Sequence, residues 1–152
     1  KCRSRMHYYL ADCEAARRQP GARALLLDQR GFIGEASTAN VVAYDADRGL
    51  VTPKLDGVLP GISQQVLFEL ADQLEIPRRE ADLAPAELAV ADEAFLTSTS
   101  ICMQPLTTLD GRPLGSGQPG PIYQQLLAAW STLVGVDIAA QARAFAVRNE
   151  GA

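Results

Sequence analysis

Residues Gly31–Asn40, with the sequence GFIGEASTAN, decide how this chain folds. They predict a strand that carries Phe32, Ile33 and Glu35. Glu35 is the one charged residue of the stretch. A buried carboxylate without a partner is strongly unfavourable, so Glu35 either lies in solvent at a strand end or shares a cation or a proton. The stretch by itself leaves both interpretations open.

A helix and a short strand are predicted before this stretch. Apolar residues recur every three or four positions from Met6 to Ala16, which predicts an amphipathic helix that Pro20-Gly21 ends. The apolar run Ala24–Leu27 predicts a buried strand, and Asp28–Gly31 predicts a tight turn after it.

A third strand, Asn40–Tyr44, and the segment Leu50–Pro53 lead to a helix that opens at Leu59–Ser63, with the sequence LPGIS. The apolar residues of this helix recur on one face: Leu67, Leu70, Ala71 and Leu74. A helix start presents free backbone N–H groups and the positive end of the dipole, and Ser63 adds a hydroxyl, so the segment can bind a phosphate. An ordinary helix start has the same pattern, and both interpretations stay open.

The remainder of the chain alternates strands and helices. We predict a weak strand at Ile76–Asp82, a short helix at Ala84–Ala91, a buried strand at Ala94–Leu96, a strand at Met103–Leu109, a hairpin turn at Asp110-Gly111, a helix over Ile122–Leu133 with Trp130 in the core, and a helix at Ile138–Ala152. Four hydroxyl residues, Thr97–Ser100, end the buried strand and could be ordinary loop residues. The alternation predicts an α/β fold in a single domain, residues 1–152.

Composition excludes several classes of protein. With 47% hydrophobic residues, the 152-residue chain can bury a core. The net charge is −4, and the sequence has no run of Lys or Arg that could bind along the phosphate backbone of a nucleic acid. The apolar runs are too short to cross a membrane. Three cysteines without CxxC spacing indicate neither a disulfide framework nor a metal site, and favour a reducing cytoplasm.

Three motifs in order resemble one family. Lys1 precedes Glu35 by 34 positions, and Leu59–Ser63 and Thr97–Ser100 follow. This order, from Lys1 to about Gly120, resembles the class IV aminotransferases, which are pyridoxal-phosphate enzymes of fold type IV and include branched-chain and D-amino-acid aminotransferases and aminodeoxychorismate lyase. The resemblance implies the carboxy-terminal domain of such an enzyme, with a mixed sheet or pseudo-barrel packed with helices.

The resemblance also implies site residues. Lys1 would hold the cofactor pyridoxal 5'-phosphate and move the substrate proton, although most lysines are simply solvated. Glu35 would keep the pyridine nitrogen protonated, and Leu59 would pack on the ring. The phosphate would be bound by uncharged residues: Ile62, Ser63, Ser98 and Thr99.

Some positions depart from the family pattern. Met6 stands where branched-chain members have a tyrosine, Gln64 where an arginine is common, and Ser98 where a glycine is common. An arginine four residues after the lysine, here Arg5, resembles the lyase branch more than the branched-chain members. The expected activity is transfer of an amino group between a branched-chain or D-amino acid and a 2-oxo acid. The alternatives are the lyase reaction or a noncatalytic interaction domain.

The resemblance further implies a homodimer. The chain starts at Lys1 without an initiator methionine or a signal peptide. We therefore expect it to be the carboxy-terminal part of a longer, cytoplasmic enzyme.

Overall fold

The computed structural model describes residues 4–150, with side chains described through residue 146, so Lys1 lies outside the described residues. The helices are α1 (Met6–Arg18), α2 (Ile62–Gln73), α3 (Pro85–Ala89), α4 (Pro121–Val134) and α5 (Ile138–Glu150). The strands are β1 (Leu25–Leu27), β2 (Ile33–Ala36), β3 (Ala39–Asp45), β4 (Gly49–Pro53), β5 (Arg78–Ala81), β6 (Glu93–Ser98), β7 (Cys102–Pro105), β8 (Thr108–Leu109) and β9 (Arg112–Pro113).

A seven-stranded mixed sheet is organised around β3, which pairs antiparallel with β2, β4 and β6. β5 lies parallel to β4, because α2 carries the chain back across the sheet between them. The Ile33 N–H donates to the Leu83 carbonyl (2.8 Å), which ties β2 to the segment after β5. The α/β class is confirmed. The described strands form an open sheet, so the expected pseudo-barrel is not a closed barrel.

Successive residues of β3 face opposite sides of the sheet, so each side has its own core. Val42 packs with Leu50 and Phe95 under α2 and α4, and the same cluster includes Leu67, Leu70, Leu126 and Trp130. Val41 packs on the other side, where the cluster contains Ala43, Val51, Leu83, Leu88 and Leu114. The two clusters fix β3 and β6, and with them the end of the sheet where the predicted site residues lie.

A buried carboxylate starts α4. Both oxygens of Glu93, which is 7% exposed, accept backbone N–H groups of the first helical turn, from Ile122 (2.9 Å) and Tyr123 (2.8 Å). A Cβ at Gly120 would lie 2.1 Å from the Glu93 carboxyl carbon. The close approach of this carboxylate therefore requires glycine at that position.

Most predicted elements are confirmed, with three differences. β1 is an edge strand rather than a buried one, and Leu27 is 53% exposed. The predicted strand Met103–Leu109 is interrupted: β7 ends at Pro105, and β8 pairs only with β9. The helix α1 forms as predicted but has no buried residue, so its apolar residues do not reach either core.

The described part of the chain contains no helix long and apolar enough to cross a membrane. Within that same part, no three His, Cys, Asp or Glu side chains are grouped so that they could hold a metal ion.

Candidate functional site

A row of polar residues crosses three strands at one end of the sheet. Glu35 in β2 and Asn40 in β3 are paired across a hairpin whose turn is Ser37-Thr38, and Asn40 is paired on its other side with Thr97 in β6. Residues directly opposite each other in a sheet point to the same face. The row Glu35, Asn40 and Thr97 therefore faces the side on which α2 packs.

The loop before α2 is held by two members of this row through the backbone of Leu59. The Leu59 N–H donates to Oε2 of Glu35 (3.3 Å), and the Leu59 carbonyl accepts from Nδ2 of Asn40 (2.8 Å). The Leu59 side chain is 46% exposed. The two hydrogen bonds fix the backbone beside Glu35 and leave an apolar side chain available to a ligand.

Asn40 also explains the glycine that caps α2. A Cβ at Gly61 would lie 2.0 Å from the Asn40 Oδ1 atom, so no larger residue fits without a shift. Gly61 has an extended backbone (φ −81°, ψ 133°) and no side chain that could cap the helix.

No side chain caps the start of α2, so its first backbone N–H groups are available as donors. The first bond into the helix runs from the Gln65 N–H to the Gly61 carbonyl (3.0 Å). The N–H groups of the three residues before Gln65 precede this bond: Ile62, Ser63 and Gln64. Ser63 is 9% exposed and Ile62 is 70% exposed. This is the arrangement that binds a phosphate at a helix start.

Gln64 has a structural role in the position where the family often has an arginine. Its side chain is 2% exposed, and Nε2 donates to the Thr52 hydroxyl (2.6 Å), which donates to the Val41 carbonyl (3.0 Å). The chain of hydrogen bonds fastens the first turn of α2 to β3 and β4.

The hydroxyl run lies at the same end of the sheet. Ser98 is the last residue of β6, Thr99 is exposed in the turn that follows, and the hydroxyls of Ser98 and Ser100 are 3.2 Å apart. Because Thr97 is opposite Asn40, this turn ends beside the β2–β3 hairpin. The Thr97 hydroxyl is buried and lacks a hydrogen-bond partner among the described residues.

Tyr8 and Arg5 reach the hairpin from α1 and the residue before it. The Tyr8 hydroxyl donates to Oε1 of Glu35, and an Arg5 side-chain nitrogen donates to the Ser37 carbonyl. The Arg5 guanidinium carbon also lies 5.2 Å from the centre of the Tyr8 ring. The hydrogen bond to the Glu35 carboxylate, with burial, raises the pKa of the Tyr8 phenol.

Sequence reasoning did not identify Tyr8 or Asn40 as site residues. A two-residue turn at Ser37-Thr38 would have predicted that Asn40 is opposite Glu35, so the signal for Asn40 was present. No comparable signal separates Tyr8 from its neighbour Tyr9.

The structure brings some of the predicted residues together. Glu35 and Leu59 are in direct contact, and Ile62, Ser63, Ser98 and Thr99 lie at the same end of the sheet. Lys1 is outside the described residues. A groove of about 600 Å³ along α4 and the start of α5 contains none of these residues; Leu127, Ser131 and Val136 are among those that line it.

Comparisons with known proteins agree on one family. Residues 1–109 match the family described as Amino-transferase class IV. The chain is 32% identical over 111 residues to the branched-chain-amino-acid aminotransferase of Pseudomonas aeruginosa, a match that covers 73% of this chain and 36% of that protein.

Solved structures give the same result. The structure of the branched-chain amino acid aminotransferase from Escherichia coli superimposes with a TM-score of 0.77 at 30% identity, covering 83% of this chain and 42% of that one. A branched-chain amino acid aminotransferase from T.th., solved with pyridoxamine 5'-phosphate, superimposes with a TM-score of 0.78 at 26% identity, covering 86% of this chain and 43% of that one.

The chain spans between 20% and 37% of the length of the curated relatives it matches. The family match nevertheless covers most of the chain, and it includes Glu35, the α2 start and the hydroxyl run. This chain belongs to the class IV aminotransferase family.

Proposed function

We propose that this chain is the carboxy-terminal, cofactor-binding part of a pyridoxal-phosphate-dependent aminotransferase that moves an amino group from a branched-chain amino acid to a 2-oxo acid. The observation that carries the proposal is the connection between Glu35 and the start of α2, made through the backbone of Leu59. The connection provides a carboxylate for the cofactor ring beside a helix start for the cofactor phosphate.

The residues present fit pyridoxal phosphate. Glu35 accepts one donor on each oxygen, and a carboxylate has about four acceptor positions, so it can accept a further donor. The start of α2 offers backbone N–H groups, and the buried Thr97 hydroxyl has no partner among the described residues. A ring nitrogen and a phosphate are groups that these donors and acceptors can bind.

Each residue then has a role. When bound, pyridoxal phosphate supplies an electron sink for the carbanion formed at the substrate Cα. Lys1 would hold the cofactor and carry the proton at Cα, and Glu35 would keep a proton on the ring nitrogen. The exposed side chain of Leu59 would cover one face of the ring.

Four residues would hold the phosphate. Ile62 and Ser63 would donate backbone N–H groups at the start of α2, and Ser63 would add its hydroxyl. Ser98 and Thr99 would donate from the turn after β6, which ends at the same edge of the sheet.

The substrates and partners are carried over from the family. The relatives named above are branched-chain aminotransferases, which favours a branched-chain donor over a D-amino acid. By analogy with the family, we propose that this protein forms a homodimer and uses a 2-oxo acid as the amino acceptor. Cys13 and Cys102 are free thiols, consistent with the proposed cytoplasmic location.

The experiment is a transamination assay on the full polypeptide that contains this chain, with added pyridoxal phosphate. Leucine, isoleucine, valine and D-alanine are compared as amino donors, with 2-oxoglutarate as the acceptor in every assay. We expect turnover of the branched-chain donors, and Glu35→Gln should slow it by orders of magnitude while the cofactor still binds.

Three results would contradict the proposal. A wild-type protein that takes up no pyridoxal phosphate would exclude the cofactor. Cleavage of aminodeoxychorismate without transamination would move the protein to the lyase branch. Equal turnover in Glu35→Gln would remove Glu35 from the site.

A further inference from the structure

The helix α1 makes polar contacts with the rest of the domain and has no fully buried residue. It has no buried residue, and its apolar residues Met6, Tyr9 and Leu10 are between 59% and 64% exposed. Helices in proteins are ordinarily stabilised by tertiary packing of a buried apolar face, whereas α1 has no fully buried residue. The polar contacts to the sheet therefore contribute to fixing where it lies.

Two of these contacts end on the hairpin that carries Glu35. Tyr8 donates to the Glu35 carboxylate, and Arg5 donates to the Ser37 carbonyl. The Arg5 guanidinium also packs over the Tyr8 ring, with 5.2 Å from its carbon to the ring centre. Arg5 and Tyr8 are three residues apart, so they lie on the same side of the helix start.

The Tyr8 contact fixes Glu35 as well as the helix. Tyr8 binds Oε1 of Glu35, and the Leu59 N–H binds Oε2 at 3.3 Å. A carboxylate held by one donor on each oxygen cannot rotate freely, yet it keeps acceptor positions for another donor. The two donors thus orient the carboxylate without saturating it.

We propose that Tyr8 is a positioning residue of the active site: its hydroxyl orients Glu35 and, together with Arg5, fastens the start of α1 to the same hairpin. This inference rests on the proposed function, because it assigns Glu35 to the cofactor ring and Lys1 to the cofactor aldehyde. One hydroxyl thus links the start of α1 to the residue that is proposed to hold the ring.

The test compares Tyr8→Phe with Tyr9→Phe in the full polypeptide. Both variants remove one hydroxyl from adjacent residues of α1, but Tyr9 is 64% exposed and does not contact Glu35 in the described structure. We expect Tyr8→Phe to weaken pyridoxal-phosphate binding about tenfold, because Glu35 would then have to be ordered when the cofactor binds. Tyr9→Phe should bind pyridoxal phosphate with the affinity of the wild type.

Two further readouts separate positioning from a general loss of stability. Without cofactor, amide hydrogen exchange over residues 6–12 should be faster in Tyr8→Phe than in Tyr9→Phe. With cofactor, the pH at which its visible absorbance titrates should shift in Tyr8→Phe only, because the Glu35 carboxylate beside the ring loses a hydrogen-bond donor.

The outcomes distinguish the inference from the proposed function. If the wild type binds pyridoxal phosphate and the two variants match it in affinity, in absorbance titration and in exchange, the role of Tyr8 is contradicted while the proposed function stands. If the wild type binds no pyridoxal phosphate, the proposed function fails. Faster exchange in Tyr8→Phe would then support only the attachment of α1, and unchanged exchange would contradict that too.

Discussion

Glu35 and Asn40 are paired across a hairpin with a two-residue turn, and both bind the backbone of Leu59. Glu35 accepts a hydrogen bond from the Leu59 N–H, and Asn40 donates one to the Leu59 carbonyl. The hairpin and the loop before α2 are therefore one structural unit. Because the same Asn40 side chain fills the space beside Gly61, the position of the α2 start depends on the hairpin.

Gly61→Ala should destabilise the protein by about 1–3 kcal/mol, as overpacking of a filled site does. The added Cβ would lie 2.0 Å from the Asn40 Oδ1 atom. Chemical denaturation measures the free energy of unfolding. Gly57→Ala is the matched control, because a Cβ there meets nothing within 4 Å.

A double-mutant cycle sharpens this prediction. In an Asn40→Ala background, Gly61→Ala should cost less, because the atom that it would meet is gone. An equal cost in both backgrounds would show that Asn40 is not what restricts residue 61.

Replacing Ser63 and Thr99 together with alanine should weaken binding of pyridoxal phosphate by roughly 1–3 kcal/mol. Hydrogen bonds to a charged group contribute about 1.5–3 kcal/mol each, and water replaces part of the loss. Fluorescence or absorbance titration of the full polypeptide gives the dissociation constant. Ser116→Ala, in the loop before α4, serves as the control, and an unchanged constant in the double variant would remove both residues from the phosphate site.

Glu93→Ala should lower the free energy of unfolding by about 1–2 kcal/mol, the range for loss of a helix cap. The substitution leaves two backbone N–H groups of α4 without their acceptor. Glu93→Gln keeps one acceptor oxygen and should cost less. Glu69→Ala, an exposed glutamate of α2, is the control, and an effect of Glu93→Ala no larger than this control would contradict the capping role.

Lowering the pH should reduce the free energy of unfolding, partly because Asp82 becomes protonated. Hydrogen bonds from Lys54 and then Arg30, with their charges, lower the pKa of this carboxyl below its ordinary value. A carboxyl with a lowered folded-state pKa stabilises the protein above its unfolded pKa of about 3.9, and this contribution disappears as the pH falls through the folded-state value.

Acid unfolding of Asp82→Asn tests this contribution. The variant should be less stable than the wild type at neutral pH, and the difference should shrink in acid. Asp47→Asn, at an exposed turn, is the control. A constant difference between Asp82→Asn and the wild type at every pH would argue against the ion pairs.

Local patterns predicted much of the fold from sequence. The apolar face of α2 and the buried start of β6 were predicted because one periodicity dominated each segment. The edge position of β1 was missed, since the run of three leucines indicates burial but not which strand lies at the edge of the sheet.

The sequence identifies the candidate site only in part, for a similar reason. Motif and spacing indicate Glu35 and Ser63 as candidates, whereas the proposed role of Tyr8 depends on how α1 lies against a hairpin 27 residues later in the chain. Asn40 is an intermediate case, because its position opposite Glu35 follows from the length of the turn, but its bond to Leu59 does not.

The most direct test of the account is to locate the covalent link between the cofactor and the protein. The full polypeptide proposed above is loaded with pyridoxal phosphate, reduced with borohydride and mapped by peptide mass spectrometry. We predict that the cofactor is found on Lys1. Lys54, the other lysine of this chain, is paired with Asp82 at 3.0 Å, and a cofactor fixed there or on a lysine outside this chain would contradict the assignment of Lys1 and leave Glu35 without its proposed role.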